Sequence, residues 1–256
     1  MAMLIISKDQ QRALGKPARE TFLNDLCTRF VERSPDLAKT LDADQVRTAV
    51  NCSVDAAESC GFTTRGPIRM YFDLCQTFGI GFVDDPIYQW AAKAIANRDP
   101  DTQAKRAEIL YEKALTAIDE IFGLDDAHAR AALKRLNSWA REPRTFEAVD
   151  ADSAASEMRS LHPEKATHGG DEALRELFTR AEKGCLRLGV TSPRAVMLAT
   201  ALEFAFGAGC FDDPFYPWIG ATAMKEGVKV PADRFVRLEK KALIWMDAVL
   251  DRNGAS

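Results

Sequence analysis

One stretch of sequence that occurs twice decides how this chain folds. The first copy reads Phe78-Gly79-Ile80-Gly81-Phe82-Val83-Asp84-Asp85-Pro86-Ile87-Tyr88-Gln89-Trp90. The second copy reads Phe206-Gly207-Ala208-Gly209-Cys210-Phe211-Asp212-Asp213-Pro214-Phe215-Tyr216-Pro217-Trp218. The copies are 128 residues apart, which is half of the 256-residue chain. Self-similarity at a fixed period is the sequence signature of a repeated structural unit.

The same spacing relates residues well outside the two copies. Identical residues 128 positions apart include the pairs Pro35 and Pro163, Arg47 and Arg175, Gly61 and Gly189, Thr63 and Thr191, Arg106 and Arg234, and Asp119 and Asp247. A duplicated and fused ancestral unit keeps one register in this way. We therefore predict two tandem homologous helical-bundle repeats, residues 1–125 and 126–256, related by a pseudo-twofold axis.

The apolar pattern within each half is helical. Apolar residues at helical spacing predict helices over Arg19–Arg33, Val46–Cys60, Ile68–Phe78, Thr102–Phe122 and Ala131–Ala140, with another that starts at Pro86. No segment alternates with period two for long enough to predict a sheet, so the expected fold class is all-α. Loops are predicted around Pro35 (Arg33–Ala43) and at Leu161–Asp171, the latter being the loosest stretch.

Composition and charge narrow the function classes. The net charge is −4, and the absence of a basic stripe argues against a dedicated nucleic-acid binder. The first residues lack the basic flank and long apolar run of a signal peptide, and no stretch approaches the roughly 20 apolar residues of a membrane span. The six cysteines form no CxxC pair and are expected to be buried and reduced. We predict a soluble cytoplasmic protein without a membrane-bound state.

The repeated stretch has a structural interpretation and two functional ones. Structurally, Gly79 can end a helix in the left-handed conformation, and Asp85 before Pro86 fits an N-cap followed by a proline at the first helical position. The first functional interpretation is an exposed patch for a protein partner, built from the aromatic side chains of Tyr88, Trp90, Tyr216 and Trp218. The second is metal or acid–base chemistry between the repeats by Asp84, Asp85, Asp212 and Asp213.

Other candidate sites are weak. None of the three histidines recurs at the repeat spacing, and His162 and His168 are expected in a solvated loop rather than at a metal. The chain has no P-loop, no GxSxG, no HExxH and no dinucleotide-binding glycine fingerprint. The sequence therefore predicts no catalytic residue, no metal and no cofactor.

The order of these motifs resembles a family of small all-helical bacterial proteins. The similarity lies in Gly61-Phe62, in the helix that ends at Gly79, and in the Asp-Asp-Pro sequence that precedes Trp90. Genes of that family commonly lie beside spike and effector genes of type VI secretion systems, and most members are single units. This chain departs from the pattern at Tyr88 and Gln89, whereas Pro217 restores the Pro-Trp pair.

The resemblance implies a gene neighbourhood more than a mechanism. Together with the acidic, motif-poor, duplicated chain, it predicts a non-enzymatic protein-binding module associated with a secreted effector or spike protein, as an adaptor, a chaperone or an immunity protein. On this interpretation the partner surface contains Asp84, Asp85, Tyr88, Trp90, Asp212, Asp213, Tyr216 and Trp218. The alternative is a metal-dependent or small-molecule-dependent enzyme with its site between the two repeats.

Overall fold

The computed structural model describes residues 8–96, 102–143, 145–225 and 230–253. Within these ranges the chain is helical and contains no β-strand, so the predicted all-α fold class is confirmed. The first seven residues, on which the prediction of no signal peptide chiefly rests, lie outside the described ranges. Across the described helices, none is both long enough and apolar enough to cross a bilayer.

In the described part of the first half, six α-helices and the 3-10 turn of the repeated stretch form the bundle. They are α1 (Lys8–Arg33), α2 (Pro35–Ala38), α3 (Ala43–Ser59), α4 (Arg65–Phe78), the 3-10 turn Pro86–Tyr88, α5 (Gln89–Ala94) and α6 (Gln103–Phe122). A second 3-10 turn, Leu124–Asp126, leads into the other half. That half contains α7 (Ala127–Arg141), α8 (Ala151–Leu161), α9 (Pro163–Arg187), α10 (Pro193–Phe206), α11 (Pro217–Ala223) and α12 (Pro231–Asn253).

Several helix ends in the two halves are 128 residues apart. Helices α4 and α10 match at both ends, and α6 and α12 match at their first residues. Helix α9 is broken at Gly170, which has a φ of 77°, and its second part then matches α3. The left-handed glycines that end these helices also match, since Gly61 has a φ of 78° and Gly189 a φ of 72°.

Helix α10 lies at the centre of the molecule. Its sequence PRAVMLATALEFAF is apolar on every side, and eleven of its residues are buried. A helix that is hydrophobic all round belongs in the core. It packs against α8, α9 and α12, so the second half carries the more deeply buried helix of the α4–α10 pair.

The predicted loop Leu161–Asp171 is wrong, because most of it is helical. Pro163 sits in the first turn of α9, where its missing N–H costs nothing, and the helix continues to the break at Gly170. The chain around Pro35 similarly forms the short helix α2 rather than an open loop.

The prediction for the six cysteines is correct in part. All six are unpaired, but Cys52 is exposed and Cys27 is only half-buried.

Candidate functional site

The repeated stretch forms a tight turn between two helices in each half. Gly79 ends α4 with a φ of 92°, and Gly207 ends α10 with a φ of 102°. The Asp85 carboxylate accepts a hydrogen bond from the Ile87 N–H at 2.8 Å and caps the 3-10 turn that begins at Pro86. The structural interpretation of the repeated motif is therefore confirmed.

The second oxygen of each capping aspartate reaches the other half. Oδ2 of Asp85 accepts a hydrogen bond from the Ala208 N–H at 2.8 Å. Oδ2 of Asp213 accepts one from the Ile80 N–H at 2.9 Å. Ile80 and Ala208 are equivalent positions of the two copies, so the two bonds are reciprocal. Both aspartates are nearly fully buried, at 2% and 3% exposure, and burial raises the pKa of each carboxyl above its usual value.

The two turns approach each other closely enough to require glycine. A Cβ on Gly79 would lie 2.7 Å from the carbonyl oxygen of Phe206, and a Cβ on Gly207 would lie 2.6 Å from that of Phe78. These oxygens belong to the backbone and cannot rotate away as a side chain can. The glycines of the motif thus serve both the turn and the contact between the halves.

The eight predicted site residues are distributed between core and surface. Asp85, Tyr88 and Asp213 are buried, and a partner could not touch them without a rearrangement. Trp90, Tyr216 and Trp218 pack against the core and are half-buried, whereas Asp84 and Asp212 are exposed. The aromatic side chains pack against Phe78 and Phe206 at equal distances, since Phe78–Tyr88 and Phe206–Tyr216 both have ring centroids 4.8 Å apart.

A cavity of about 510 Å³ lies where the two halves meet. Four aromatic residues of the repeated motif line it: Phe78, Tyr88, Phe206 and Tyr216. The remaining walls come from α6, α7, α9, α10 and α12 and are largely apolar. Sites for small organic ligands typically have volumes of about 300–1,000 Å³ and apolar walls with a few polar groups, so both the volume and the lining fit such a site.

Lys165 of α9 supplies the buried charge of this cavity. The residue is only 4% exposed, and its Nζ lies 5.2 Å from the ring centroid of Tyr88 and 5.3 Å from that of Phe204. Burial lowers the pKa of its ammonium to about 8, although the Asp85 carboxylate opposes the shift. In the described ranges its Nζ has no hydrogen bond and no salt bridge, and it keeps some accessible surface in the cavity. Asp126, the carboxylate that lines the cavity, is exposed.

Sequence reasoning missed Lys165 because it sits in a polar segment that resembles a loop. A comparison of the two copies would have identified this residue. The equivalent position in the first half is Leu37, so the second copy places an ammonium where the first has an apolar side chain.

Two histidines of α9 and its N-terminal cap, His162 and His168, make hydrogen bonds to the first half, contrary to the prediction that they lie in a solvated loop. His162 is 8% exposed, and its Nε2–H donates to the Ile121 carbonyl at 2.9 Å. Burial lowers the pKa of this imidazole to about 4, so it is neutral at physiological pH. His168 accepts a hydrogen bond from the Trp90 indole at 3.2 Å, and its Nδ1 lies 2.7 Å from a Glu120 carboxylate oxygen. Both contacts tie the second half to the first.

The four motif aspartates do not form a metal site. In the part of the chain that the structure describes, no three His, Cys, Asp or Glu side chains are grouped as metal ligands would be. The acceptor oxygens of Asp85 and Asp213 are already occupied by backbone N–H groups.

These features define a helical protein with a largely apolar cavity and a buried ammonium between its two halves. In comparisons with known proteins, no family model, no curated protein and no solved structure matches the chain. The similarity to proteins encoded beside type VI secretion genes stays a prediction from the sequence.

Proposed function

We propose that this chain is a non-enzymatic binding protein whose two repeats, residues 1–125 and 126–256, hold an amphipathic anion between them. The ligand class is an apolar carboxylate, with its tail in the aromatic part of the cavity and its carboxylate at Lys165. The reciprocal bonds of Asp85 and Asp213 support repeats related by a pseudo-twofold axis, because each bond joins equivalent atoms of the two copies.

The observation that carries the proposal is the burial of Lys165 without a hydrogen-bonded counter-ion. An ammonium in a site of low polarity is costly unless it is paired, and Leu37 at the equivalent position indicates that the fold itself does not need a charge there. The facing rings of Tyr88 and Phe204 stabilise the cation in part. A ligand carboxylate would supply the missing charge-assisted hydrogen bonds.

The test compares decanoate with decanol, which differ in the head group alone. Decanoate is expected to raise the melting temperature and to bind at least about tenfold more tightly than decanol, since a charge-assisted bond in a desolvated site contributes about 1.5–3 kcal/mol. Titration calorimetry on the full chain measures both affinities.

A matched pair of variants assigns the site. Lys165→Met is expected to remove the preference for decanoate, whereas Lys93→Met, at an exposed lysine of α5, leaves it unchanged. Equal binding of decanoate and decanol by the unmodified protein, or an unchanged preference in Lys165→Met, contradicts the proposal.

The second candidate is a protein partner, a secreted effector or spike protein bound in the cytoplasm. The exposed side chains of Asp84 and Asp212 and the half-buried side chains of Trp90 and Trp218 favour it. Affinity capture from the native host with tagged protein is expected to recover one stoichiometric partner, and an Asp84→Lys, Asp212→Lys variant is expected to lose it. Recovery of the same partner by the variant would place the interface elsewhere.

A further inference from the structure

The two halves differ in how they fill the space beside α4 and α10. In the first half the rings of Phe62, Tyr71 and Phe82 pack together, with centroids 6.0 Å apart for Phe62–Tyr71 and 5.0 Å for Tyr71–Phe82. All three are almost completely buried. The positions 128 residues later carry Val190, Ala199 and Cys210. The second half therefore lacks these three rings and has a different aromatic pair, Phe211 and Phe235, with ring centroids 6.2 Å apart.

A second cavity, of about 610 Å³, lies in this part of the second half. Ala199 lines it where Tyr71 fills the first half, and Gly184 of α9 lines it as well. Larger side chains, Phe211, Phe235 and Met224, form part of the wall. The cavity is open to solvent, since Met224 and other residues of its wall are exposed, and its volume lies in the range of about 300–1,000 Å³ that is typical of ligand sites.

Glu203 of α10 lines this cavity at the position equivalent to Cys75. It is 8% exposed. In the described ranges its carboxyl has no hydrogen bond and no ion pair, and its oxygens keep some accessible surface at the cavity. The neighbouring positions of α10 are apolar. An unpartnered carboxyl in a core helix costs stability, and Cys75 indicates that the helix packs without one. The cost is explained if Glu203 serves a ligand.

Charges of both signs surround the rest of the cavity. Lys183 and Arg187 of α9 are exposed and line it. Arg180 also lines it, but its guanidinium is engaged, since it donates to the Asp84 carbonyl at 2.5 Å and pairs with Glu176. A ligand that enters therefore meets exposed basic groups, the exposed carboxylates of Asp84 and Asp212, apolar walls and a buried carboxyl.

We propose that this second cavity binds a primary amine with an apolar body and a carboxylate at its far end. The ammonium binds Glu203, the body lies against Phe211 and Phe235, and the carboxylate lies near Lys183 or Arg187. The site is separate from the one at Lys165, because α10 presents Ala199 and Glu203 to this cavity and Ala201 and Phe204 to the other.

Protonation of Glu203 sets the pH dependence of this binding. Burial raises the pKa of its carboxyl to about 7; the Asp85 carboxylate adds to the shift and the Arg180 guanidinium opposes it. The thiols of Cys185 and Cys210 also face Glu203, and burial raises the pKa of both, to about 12 for Cys185, so they stay neutral near pH 7. Of the other charged groups that line the cavity, Asp84, Asp212, Lys183 and Arg187 are exposed. Because the ionised carboxylate binds the ammonium, affinity is expected to rise about tenfold from pH 6 to pH 8.

The experiment uses three probes of one length: hexylamine, 6-aminohexanoate and hexanoate. Calorimetry on the full chain at pH 8 is expected to show that both amines bind and that 6-aminohexanoate binds more tightly. Glu203→Gln is expected to weaken both by at least about tenfold, because it removes the charge that meets the ammonium, and to abolish the pH dependence. Glu172→Gln, at an exposed glutamate of α9, is the matched control and is expected to bind as the unmodified protein does.

A filling variant tests the cavity itself. Ala199→Tyr copies Tyr71 of the first half and is expected to abolish amine binding while leaving decanoate binding at Lys165 intact. Amine binding at full strength in Glu203→Gln, or none in the unmodified protein, overturns the proposal whether or not Ala199→Tyr folds. If hexanoate binding is weakened by Lys165→Met but not by Glu203→Gln, hexanoate occupies the cavity at Lys165. The two proposals can therefore fail independently.

Discussion

Replacement of Lys165 by methionine tests whether its ammonium is held at a cost to the fold. Methionine keeps an unbranched side chain of similar length and removes the charge. The pKa of this ammonium falls from 10.5 to about 8 in the folded protein. At 1.36 kcal/mol per pKa unit, burial of the charged form costs roughly 3 kcal/mol at pH 7. Exchange of a buried ion pair for hydrophobic residues of similar volume is often neutral in other proteins or stabilises them by about 1–4 kcal/mol.

The sign of the pH dependence follows from the lowered pKa. Between about pH 8 and pH 10.5 the unfolded state binds the proton that the folded state has lost, so the Lys165 contribution makes the protein more stable as the pH rises. About 2 of the roughly 3 kcal/mol are recovered by pH 9.5. Lys165→Met is therefore expected to be more stable than the unmodified protein by about 2–3 kcal/mol at pH 7, and by about 1 kcal/mol at pH 9.5.

Urea unfolding of both proteins at the two pH values measures this difference. Titrating groups that do not interact with Lys165 cancel because both proteins carry them, whereas the pKa values of Asp85 and His162, which Lys165 lowers, rise in the variant. Lys93→Met controls for the loss of a surface lysine and is expected to change stability by less than about 0.5 kcal/mol. A Lys165→Met protein that is less stable than the unmodified one at pH 7, or a stability difference that does not change with pH, would refute the assignment of Lys165 as a strained buried ammonium.

Two further predictions concern the contact between the halves. Gly79→Ala is expected to lower the free energy of unfolding in urea by at least about 2 kcal/mol. The left-handed backbone alone costs about 1–2 kcal/mol, and the new Cβ would lie 2.7 Å from a backbone carbonyl of the other half. Gly66→Ala is the control, because a Cβ there has nothing within 4 Å, and a similar loss of stability in both variants would contradict the close approach. Trp90→Phe is expected to lower the free energy of unfolding by about 1 kcal/mol more than Trp218→Phe does. The indole N–H of Trp90 donates a hydrogen bond to a histidine, whereas that of Trp218 has no partner among the described residues. Equal losses of stability would show that this hydrogen bond contributes nothing.

Sequence patterns predicted most of the helices and the turn, but not the contacts between the two halves. The sequence Asp85-Pro86 predicts a helix N-cap, because a cap is formed by residues that are close together in the chain. Its second hydrogen bond joins residues 123 positions apart, and no local pattern specifies such a partner. Local reasoning also failed at Leu161–Asp171, where Pro163, Gly169 and Gly170 suggest a loop. There the first glycine lies within the helix and packs against Ile87, and the second breaks it.

The comparison of the two copies with each other carries more functional information than either copy alone. Where the copies agree, as at Asp85 and Asp213, the side chains make the same bonds and hold the fold together. At two positions the second copy buries a charged side chain where the first copy has none: Lys165 is equivalent to the half-buried Leu37, and Glu203 is equivalent to the buried Cys75. Each of these groups is costly to bury and lines a cavity. A fold that tolerates leucine or cysteine at these positions does not need the charges for packing, and we infer that the second repeat carries them for ligands.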